Sequence, residues 1–267
     1  MPGNKVIFVL LMSHLITEIR NGYLVVSMTR GKANALEQTL VDELREVFRL
    51  SLKDDDIKGI VLAGRERFFS AGLDLIALYD YDADAVEEFW RSFMKLIQEM
   101  VAWPKPLVAA ISGHAPAGGC LLALTADYRV MAAGDFTIGL NEIPVGIMVP
   151  EAIFNLYRFW IGDNLAHTML LEGKLVKPDK ALELGMVHEV VDASQVLIQA
   201  ERQMQRYIGY QSFTWQQSKI NIRRNLRQQM HMDFDVVFAP ALKHWWAPET
   251  RAIVKAVVDG LKARSGS

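Results

Sequence analysis

Apolar and polar residues alternate over the first stretch of regular pattern in the chain. The segments LITEIR (Leu15–Arg20) and YLVVSMTR (Tyr23–Arg30) are separated by the dipeptide Asn21-Gly22. Asn-Gly tolerates positive φ, which favours a two-residue hairpin turn. The pattern therefore predicts an antiparallel pair of strands.

Helical spacing follows this hairpin, and each helical stretch leads into a short apolar strand. Apolar residues recur every three or four positions between Leu36 and Leu52, and the run Ile57–Gly64 then predicts a buried strand. A second helix is expected within Asp84–Ala102 and a second strand at Leu107–Ser112. Strands that alternate with helices of this length are typical of parallel β-α-β crossovers, so we predict an α/β fold.

Beyond residue 150 the chain is predicted to be mostly helical, with one brief strand at Met186–Val191. The expected helices cover about residues 150–171, 178–184, 193–210, 213–230 and 249–263. No linker rich in Pro, Gly or Ser divides the chain. We interpret residues 12–200 as an α/β core, residues 201–267 as a helical region and residues 1–11 as a possible N-terminal extension.

Composition narrows the possible partners. The 267 residues are 51% hydrophobic with a formal net charge of −2, which is enough apolar content for a core and too little positive charge to drive binding to nucleic acid or anionic lipid. We therefore expect no nucleic-acid partner and no membrane span, and interpret the basic run 223–227 as a solvated helix face. The single cysteine, Cys120, suits a reducing compartment, and with no targeting segment recognised we predict a cytoplasmic location.

Several common site motifs are excluded. The segment Gly113–Gly118 has the spacing of a phosphate-binding loop, but Gly119 and Cys120 stand where Lys and Ser or Thr would be needed. Ser70 cannot belong to a nucleophile elbow because Phe68 replaces the required glycine. No two histidines are four residues apart, so no metal site is expected.

Two glycine-bearing corners follow the predicted strands. They are FFSAGLDL (Phe68–Leu75) and SGHAPAGGCLLAL (Ser112–Leu124). Small residues allow close approach to the backbone, and free N–H groups at a helix start can hold a negatively charged oxygen. If the N–H groups of Leu73 and Gly118 converge, they form an oxyanion hole that stabilises an enolate. The alternative is that these glycines only pack helix against strand.

A third candidate is an acidic residue in the apolar stretch IGLNEIPVGI (Ile138–Ile147). A Glu142 carboxylate among Leu140, Ile143 and Val145 would be desolvated, which raises its pKa and makes it a better proton acceptor. The alternative is a glutamate at a strand end that faces water.

Four separated motifs now occur in a characteristic order: NAL (Asn34–Leu36), FFSAGLDL, GHAPAGGCLLALTADYRVMA (Gly113–Ala132) and IGLNEIPVGI. In this order they resemble the crotonase, or enoyl-CoA hydratase/isomerase, superfamily over about residues 14–260. The resemblance implies a ClpP/crotonase-like spiral of β-β-α units with a C-terminal helical trimerisation region. It also implies an acyl-CoA thioester substrate, no cofactor besides the coenzyme A of that substrate, and a homotrimer or a hexamer built as a dimer of trimers.

The resemblance also assigns roles by position. It implies that Leu73 and Gly118 supply the two oxyanion N–H groups and that Glu142 is the catalytic base. The residues that match the groove for the adenine and pantetheine of coenzyme A are Lys32, Ala33, Ala35, Ala71, Gly72, Leu73, Asp74, Leu75 and Gly118.

One departure from the family pattern bears on the reaction. Hydratases of this family use two glutamates to hold and activate water, and the corresponding positions here are Leu121 and Glu142. A single base can still lift and return a proton, so the resemblance, closest to the mitochondrial type, implies a Δ3,Δ2-enoyl-CoA isomerase of fatty-acid β-oxidation acting through a dienolate. The alternatives are a hydratase or another crotonase-type acyl-CoA reaction, and a non-catalytic acyl-CoA-binding scaffold.

Overall fold

The computed structural model describes residues 12–231 and 233–265, so the extension predicted over residues 1–11 lies outside the described residues. The strands are β1 (Leu15–Arg20), β2 (Tyr23–Met28), β3 (Ile60–Ala63), β4 (Arg67–Phe68), β5 (Leu107–Ile111), β6 (Gly113–Pro116), β7 (Tyr128–Ala132), β8 (Ile138–Gly139), β9 (Leu175–Val176) and β10 (Glu189–Val191). The helices are α1 (Gln38–Lys53), α2 (Leu75–Asp80), α3 (Ala83–Ala102), α4 (Gly118–Thr125), α5 (Glu151–Ile161), α6 (Asp163–Glu172), α7 (Pro178–Glu183), α8 (Val196–Ile208), α9 (Ser212–Ile222), α10 (Arg224–Met230), α11 (Phe234–Trp245) and α12 (Pro248–Ser265). Two short 3₁₀ helices cover Ile143–Val145 and Ala193–Gln195.

The larger sheet has the order β1-β2-β3-β5-β7-β10. The predicted hairpin is confirmed, because β1 and β2 pair antiparallel and the turn residues Asn21 and Gly22 have φ of 48° and 84°. The strands from β2 to β10 pair in parallel, as expected for helical crossovers.

The central strands β3 and β5 of this sheet are buried on both faces, because helices cover the sheet on each side. On one face, Val61 and Val108 pack with Ala200 and Met204 of α8. The other face belongs to the main core, which is continuous with α1, α3 and α4 and extends to Val254 of α12. The α/β fold is therefore as predicted.

A second, smaller sheet was not predicted from the sequence. Its order is β4-β6-β8-β9, and its strands have two to four residues, too few for alternation to be detected. The pairs β4–β6 and β6–β8 are parallel, so the carboxyl ends of these three strands lie side by side. The first corner continues from β4, the second corner contains β6 and continues beyond it, and Glu142 follows β8. This sheet brings the three candidate segments together.

The helical region differs from the prediction in three places. The helix expected over 150–171 divides into α5 and α6 at Gly162, whose φ of 79° ends the first helix. The helix expected over 213–230 divides into α9 and α10 at Arg223. Helix α11 was missed, because Pro240 in its interior is unfavourable to a helix by local pattern.

The last helix lies against the same chain's first corner region. Arg251 of α12 donates from Nη2 to the carbonyl of Tyr79 at 2.8 Å, and its guanidinium lies 3.8 Å from the Tyr79 ring centroid. This contact holds α12 against α2. In the part of the chain that the structure describes, no helix combines the length and apolar character needed to span a membrane.

Candidate active site

The first corner is held by two backbone hydrogen bonds to Leu36, one on each side of Leu73. Leu36 donates its N–H to the carbonyl of Gly72 at 2.7 Å and accepts from the N–H of Asp74 at 2.8 Å. The N–H of Leu73 itself makes no hydrogen bond to any residue between 12 and 231 or between 233 and 265. This donor is therefore available to a ligand.

Two buried polar side chains hold the corner in place, and the sequence reasoning missed both. Ser70 donates from Oγ to the carbonyl of Asn34 at 2.7 Å and accepts from the N–H of Gly72 at 3.2 Å. Asn34, with φ of 49°, donates from Nδ2 to the carbonyl of Phe69 at 3.1 Å. Both side chains are fully buried. The sequence places both residues within motifs that carry the family resemblance, but nothing local shows that their side chains hold the corner.

The predicted groove residues meet here. Ala71 donates its N–H to the carbonyl of Ala33 at 2.8 Å, so the two predicted segments lie side by side. Arg30 joins them, since its Nη1 donates to the carbonyl of Ala35 at 2.9 Å and pairs with Asp74 Oδ2 at 2.7 Å. Asp74 Oδ1 also accepts from the N–H of Ala77, which caps α2 as it begins at Leu75. The remaining predicted groove residue, Lys32, is exposed.

The second corner turns through a strained alanine. Ala117 has φ of 48° and ψ of −124°, a conformation that costs on the order of 1–3 kcal/mol for a non-glycine residue. The hydrogen bond from its N–H to the carbonyl of Gly139, at 2.8 Å, helps to hold it. Helix α4 starts directly afterwards at Gly118, whose N–H has no partner among the described residues. Such strain is a known feature of functional sites.

The two corners are in contact. A Cβ atom at Gly72 would lie 2.9 Å from Ala117 Cβ and 3.2 Å from the nitrogen of Gly118, and one at Gly118 would lie 3.4 Å from Leu73 Cδ2. Only glycine permits this approach at Gly72, which also has φ of 83°. The glycines therefore pack the corners closely, and the same packing places two unpartnered N–H groups on adjoining loops. Their oxyanion role stays a prediction.

Glu142 follows β8 and opens the 3₁₀ helix Ile143–Val145. Its carbonyl accepts from the N–H groups of Val145 at 3.1 Å and Ile147 at 2.9 Å, which fixes the turn. Only 5% of the residue is exposed, so the alternative of a water-facing glutamate is wrong. Burial raises the pKa of its carboxyl to about 7, and its own backbone N–H opposes that shift.

The surroundings of Glu142 are uncharged. Within the described residues its Oε2 has no hydrogen-bond partner, and no second acidic group contributes to its pKa shift. Its neighbours include Cys120 and Tyr157, whose pKa values are raised chiefly by burial. The Glu142 charge adds to both shifts, in the case of Tyr157 after the Cys120 charge. The thiol therefore stays protonated, which agrees with a packing role for Cys120. Leu121, which stands at the first of the two glutamate positions of the hydratases, is 1% exposed and belongs to the core.

His114 is held as part of the loop structure. The N–H of Thr137 donates to its Nδ1 at 3.2 Å, and its ring packs against Phe68 and Phe136 at centroid distances of 5.2 and 5.3 Å. Burial lowers the pKa of this histidine. No three His, Cys, Asp or Glu residues in the described ranges are grouped so as to hold a metal ion.

Comparison with known proteins identifies the family of this chain. The family model described as enoyl-CoA hydratase/isomerase matches residues 18–238. The chain is 34% identical over 223 residues to enoyl-CoA delta isomerase 1, mitochondrial, of Mus musculus, covering 81% of this chain and 77% of the relative. It is also 30% identical over 215 residues to 2,3-dehydroadipyl-CoA hydratase of Escherichia coli, covering 80% of this chain and 83% of that relative.

A solved structure extends the similarity to the whole fold. The crystal structure of human mitochondrial delta3-delta2-enoyl-CoA isomerase superposes with a TM-score of 0.90 at 27% identity and covers 94% of this chain and 99% of that one. The predicted crotonase fold is therefore confirmed. The chain belongs to the enoyl-CoA hydratase/isomerase family.

Proposed function

We propose that this protein is a Δ3,Δ2-enoyl-CoA isomerase, which moves the double bond of a 3-enoyl-CoA into conjugation with the thioester. The observation that carries the proposal is the state of Glu142, which is a buried carboxylate with one unpartnered oxygen and no acidic neighbour among the described residues. A pKa of about 7 suits a group that must both accept and return a proton near neutral pH.

The reaction proceeds by transfer of one proton. The thioester oxygen lies between the N–H groups of Leu73 and Gly118, and Glu142 takes a proton from C2. The electron pair moves toward the carbonyl oxygen and forms a dienolate, whose negative charge the two N–H groups stabilise. Glu142 then delivers its proton to C4, and the remaining double bond lies between C2 and C3. Nothing is added or lost, so the step is a balanced isomerisation.

The apolar residue at position 121 supports isomerisation over hydration. Addition of water to a 2-enoyl thioester needs a group that holds the water and a group that exchanges its proton. Leu121 can do neither, and Glu142 alone provides a single carboxylate. The relative from Escherichia coli named as a hydratase keeps hydration as the second candidate reaction.

The proposal also includes a binding site for coenzyme A, an oligomeric state and a location, which are not evidence for the reaction. The loops around Ala33–Ala35 and Ala71–Leu75 would receive the coenzyme A portion through backbone and shape contacts, with Lys32 at their exposed edge. The homotrimer or hexamer and the cytoplasmic location stay predictions.

The proposal is tested by comparing two reactions of the purified protein. Conversion of 3-hexenoyl-CoA is followed by the rising absorbance of the conjugated thioester, and hydration of 2-hexenoyl-CoA by its loss. We expect isomerisation with kcat/KM about 100-fold or more above that of hydration. Faster hydration would assign the protein as a hydratase. Thermal stabilisation by hexanoyl-CoA without turnover of either substrate would support the binding-only scaffold.

A further inference from the structure

Two helices begin beside the first corner, and each begins at a carboxylate cap. Glu37 caps α1, since its carboxylate accepts two N–H groups of the first turn, both at 2.9 Å. Asp74 caps α2 through one N–H at 3.0 Å. A cap satisfies N–H groups that the helix itself leaves unpaired, and so stabilises the point at which the helix begins. These two carboxylates belong to the residues that directly follow Leu36 and Leu73.

One arginine contacts both caps. Arg30 Nε lies 3.3 Å from Glu37 Oε1, and Arg30 Nη1 lies 2.7 Å from Asp74 Oδ2. The same Nη1 donates to the carbonyl of Ala35 at 2.9 Å. The three charged side chains are between 11% and 23% exposed. Because the guanidinium presents its donors in a rigid planar fork, it holds both carboxylates and the 34–36 loop at fixed places.

The backbone around Arg30 is also held. The carbonyl of Arg30 accepts the N–H of Asn34 at 2.9 Å. Arg65 Nη1 donates to the carbonyls of the two residues that flank Arg30, to Thr29 at 3.2 Å and to Gly31 at 2.6 Å. The guanidinium therefore extends to the caps from a fixed backbone.

The 34–36 loop determines the direction of the Leu73 N–H. Leu36 and Leu73 form an isolated parallel β-bridge. In a parallel bridge the residues on each side of the bridged one make the hydrogen bonds, and here Gly72 and Asp74 bond to Leu36 at 2.7 and 2.8 Å. The N–H of Leu73 therefore points away from Leu36, which is why it stays unpaired within residues 12–231 and 233–265. A displaced loop would turn this N–H.

We propose that Arg30 is a positioning residue for the isomerisation, which directs the Leu73 N–H at the thioester oxygen by holding the 34–36 loop. This inference rests on the proposed function, because it takes that oxygen to be bound at Leu73 and Gly118. Removing the guanidinium leaves two partly buried carboxylates without the cation that they share, and their like charges repel. The bridge to Leu73 then loosens, while Gly118 lies on another segment and keeps its place.

The experiment compares Arg30→Met with the matched control Arg45→Met. Arg45 lies on α1, pairs with Glu99 at 3.1 Å and has a side chain that is 31% exposed. For Arg30→Met we expect kcat with 3-hexenoyl-CoA to fall about 10–100-fold, because a misplaced oxyanion donor costs somewhat less than the 10²–10³-fold of its complete loss. The Kd for hexanoyl-CoA should change by less than about fivefold. Arg45→Met should leave both values within about twofold of wild type.

Infrared spectroscopy tests the direction of the N–H without turnover. Hydrogen-bond donors polarise the thioester carbonyl and lower its stretching frequency, so hexanoyl-CoA labelled with ¹³C at C1 should show a lower band when bound to wild type than when free. Arg30→Met should lose about half of this shift or more, and Arg45→Met should keep it. Arg30→Lys retains the charge without the fork and should recover part of the shift and of kcat. If thermal unfolding shows that Arg30→Met does not fold, Arg30→Lys carries the comparison, with a shift smaller than that of wild type.

The outcomes separate this inference from the proposed function. A wild-type protein that shows the shift but does not isomerise would contradict the proposed function, and the loss of the shift in the Arg30 variants would still support the inference. An unchanged shift in a folded Arg30→Met protein would overturn the inference. A raised KM with unchanged kcat would also overturn it, because Arg30 would then only support the groove for coenzyme A. Absence of the shift in wild type would overturn both.

Discussion

The carboxylates of Glu142 and Asp127 are both largely buried, but they have opposite surroundings. Asp127 pairs with Lys219 at 2.7 Å and with Arg223 at 3.0 Å, and it also accepts the N–H of Leu107 at 2.8 Å. Glu142 has no charged partner among the described residues and one oxygen without a hydrogen bond. Both carboxylate oxygens of Asp127 have partners, whereas Glu142 keeps one oxygen available to a ligand.

The two carboxylates also lie at different ends of the strands. Asp127 precedes β7 and holds the first residue of β5, while the corners and Glu142 follow the carboxyl ends of β4, β6 and β8. Lys219 and Arg223 come from α9 and its end, so the Asp127 cluster attaches the helical region to the sheet. Burial lowers the pKa of Lys219 to about 7, and the Asp127 charge opposes that shift.

The difference in partners gives the two carboxylates different roles, because Asp127 contributes to stability and Glu142 is available for proton transfer. A buried charge with partners fixes the geometry of the elements that supply them, and removing one partner leaves the others uncompensated. A buried carboxylate without partners has a raised pKa and can exchange a proton near neutral pH. We therefore expect substitutions at the two residues to affect different measurements.

The largest effect is expected for Glu142→Gln. This change keeps the size of the side chain and removes the base, so kcat should fall by about 10³–10⁴-fold, the upper range for loss of a general base. Steady-state isomerisation of 3-hexenoyl-CoA measures it. Because the folded protein no longer holds a desolvated carboxylate, its unfolding free energy at pH 8 should be equal to or above that of wild type.

Binding provides the control for this variant. Hexanoyl-CoA should bind Glu142→Gln with a Kd within about threefold of wild type, since the proposed contacts with the thioester come from backbone N–H groups. Substantial turnover by a folded Glu142→Gln protein would remove Glu142 from its assigned role. A large loss of stability would show that Glu142 resembles Asp127.

The second effect is expected for Asp127→Asn, measured by urea unfolding. This change leaves Lys219 and Arg223 buried without a counter-charge, which costs about 3–5 kcal/mol when a buried pair is broken. The protein that remains folded should keep kcat within about threefold of wild type, because the cluster lies away from the corners. A variant as stable as wild type but inactive would reverse the proposed difference between the two carboxylates.

Much of this arrangement could be predicted from local sequence. The β1–β2 hairpin, the helix-to-strand units, both corners and Glu142 are local features, since each depends on spacing or on residue type within a short stretch. The α/β assignment follows from the same alternation of strands and helices. Family resemblance then connected the corners and Glu142, which no single motif could do.

The remaining features depend on contacts between distant parts of the chain. Arg223 was interpreted as part of a solvated face, and this was wrong, because the residue is 4% exposed and pairs with Asp127, 96 positions away. The sequence excludes Ser70 from a nucleophile elbow but does not show that Ser70 donates to Asn34 of another loop. Ala117 adopts a positive φ that alanine rarely takes, and its N–H donates to Gly139 of the small sheet, 22 positions away. Such features have no local signature.

The smallest effect is expected from pH. Glu142 must be ionised to take the C2 proton, and burial raises its pKa from an ordinary value of 4.5 to about 7. Activity should therefore be constant above about pH 8 and should fall as pH decreases through 7, approaching tenfold per pH unit below about 6. Measurement of kcat/KM for 3-hexenoyl-CoA between pH 5.5 and 9 reports this pKa in the free enzyme.

The neighbouring groups should not contribute to that profile. Burial raises the pKa values of Cys120 and Tyr157 far above their usual ranges, so neither ionises below pH 9. His188, whose pKa burial lowers to about 4, stays neutral across the same range. Thermal unfolding at each pH establishes that the protein remains folded, so that a loss of activity reflects protonation of the base. If kcat/KM were constant down to pH 5.5, Glu142 would titrate as an ordinary exposed carboxylate, and the contrast with Asp127 would no longer depend on desolvation.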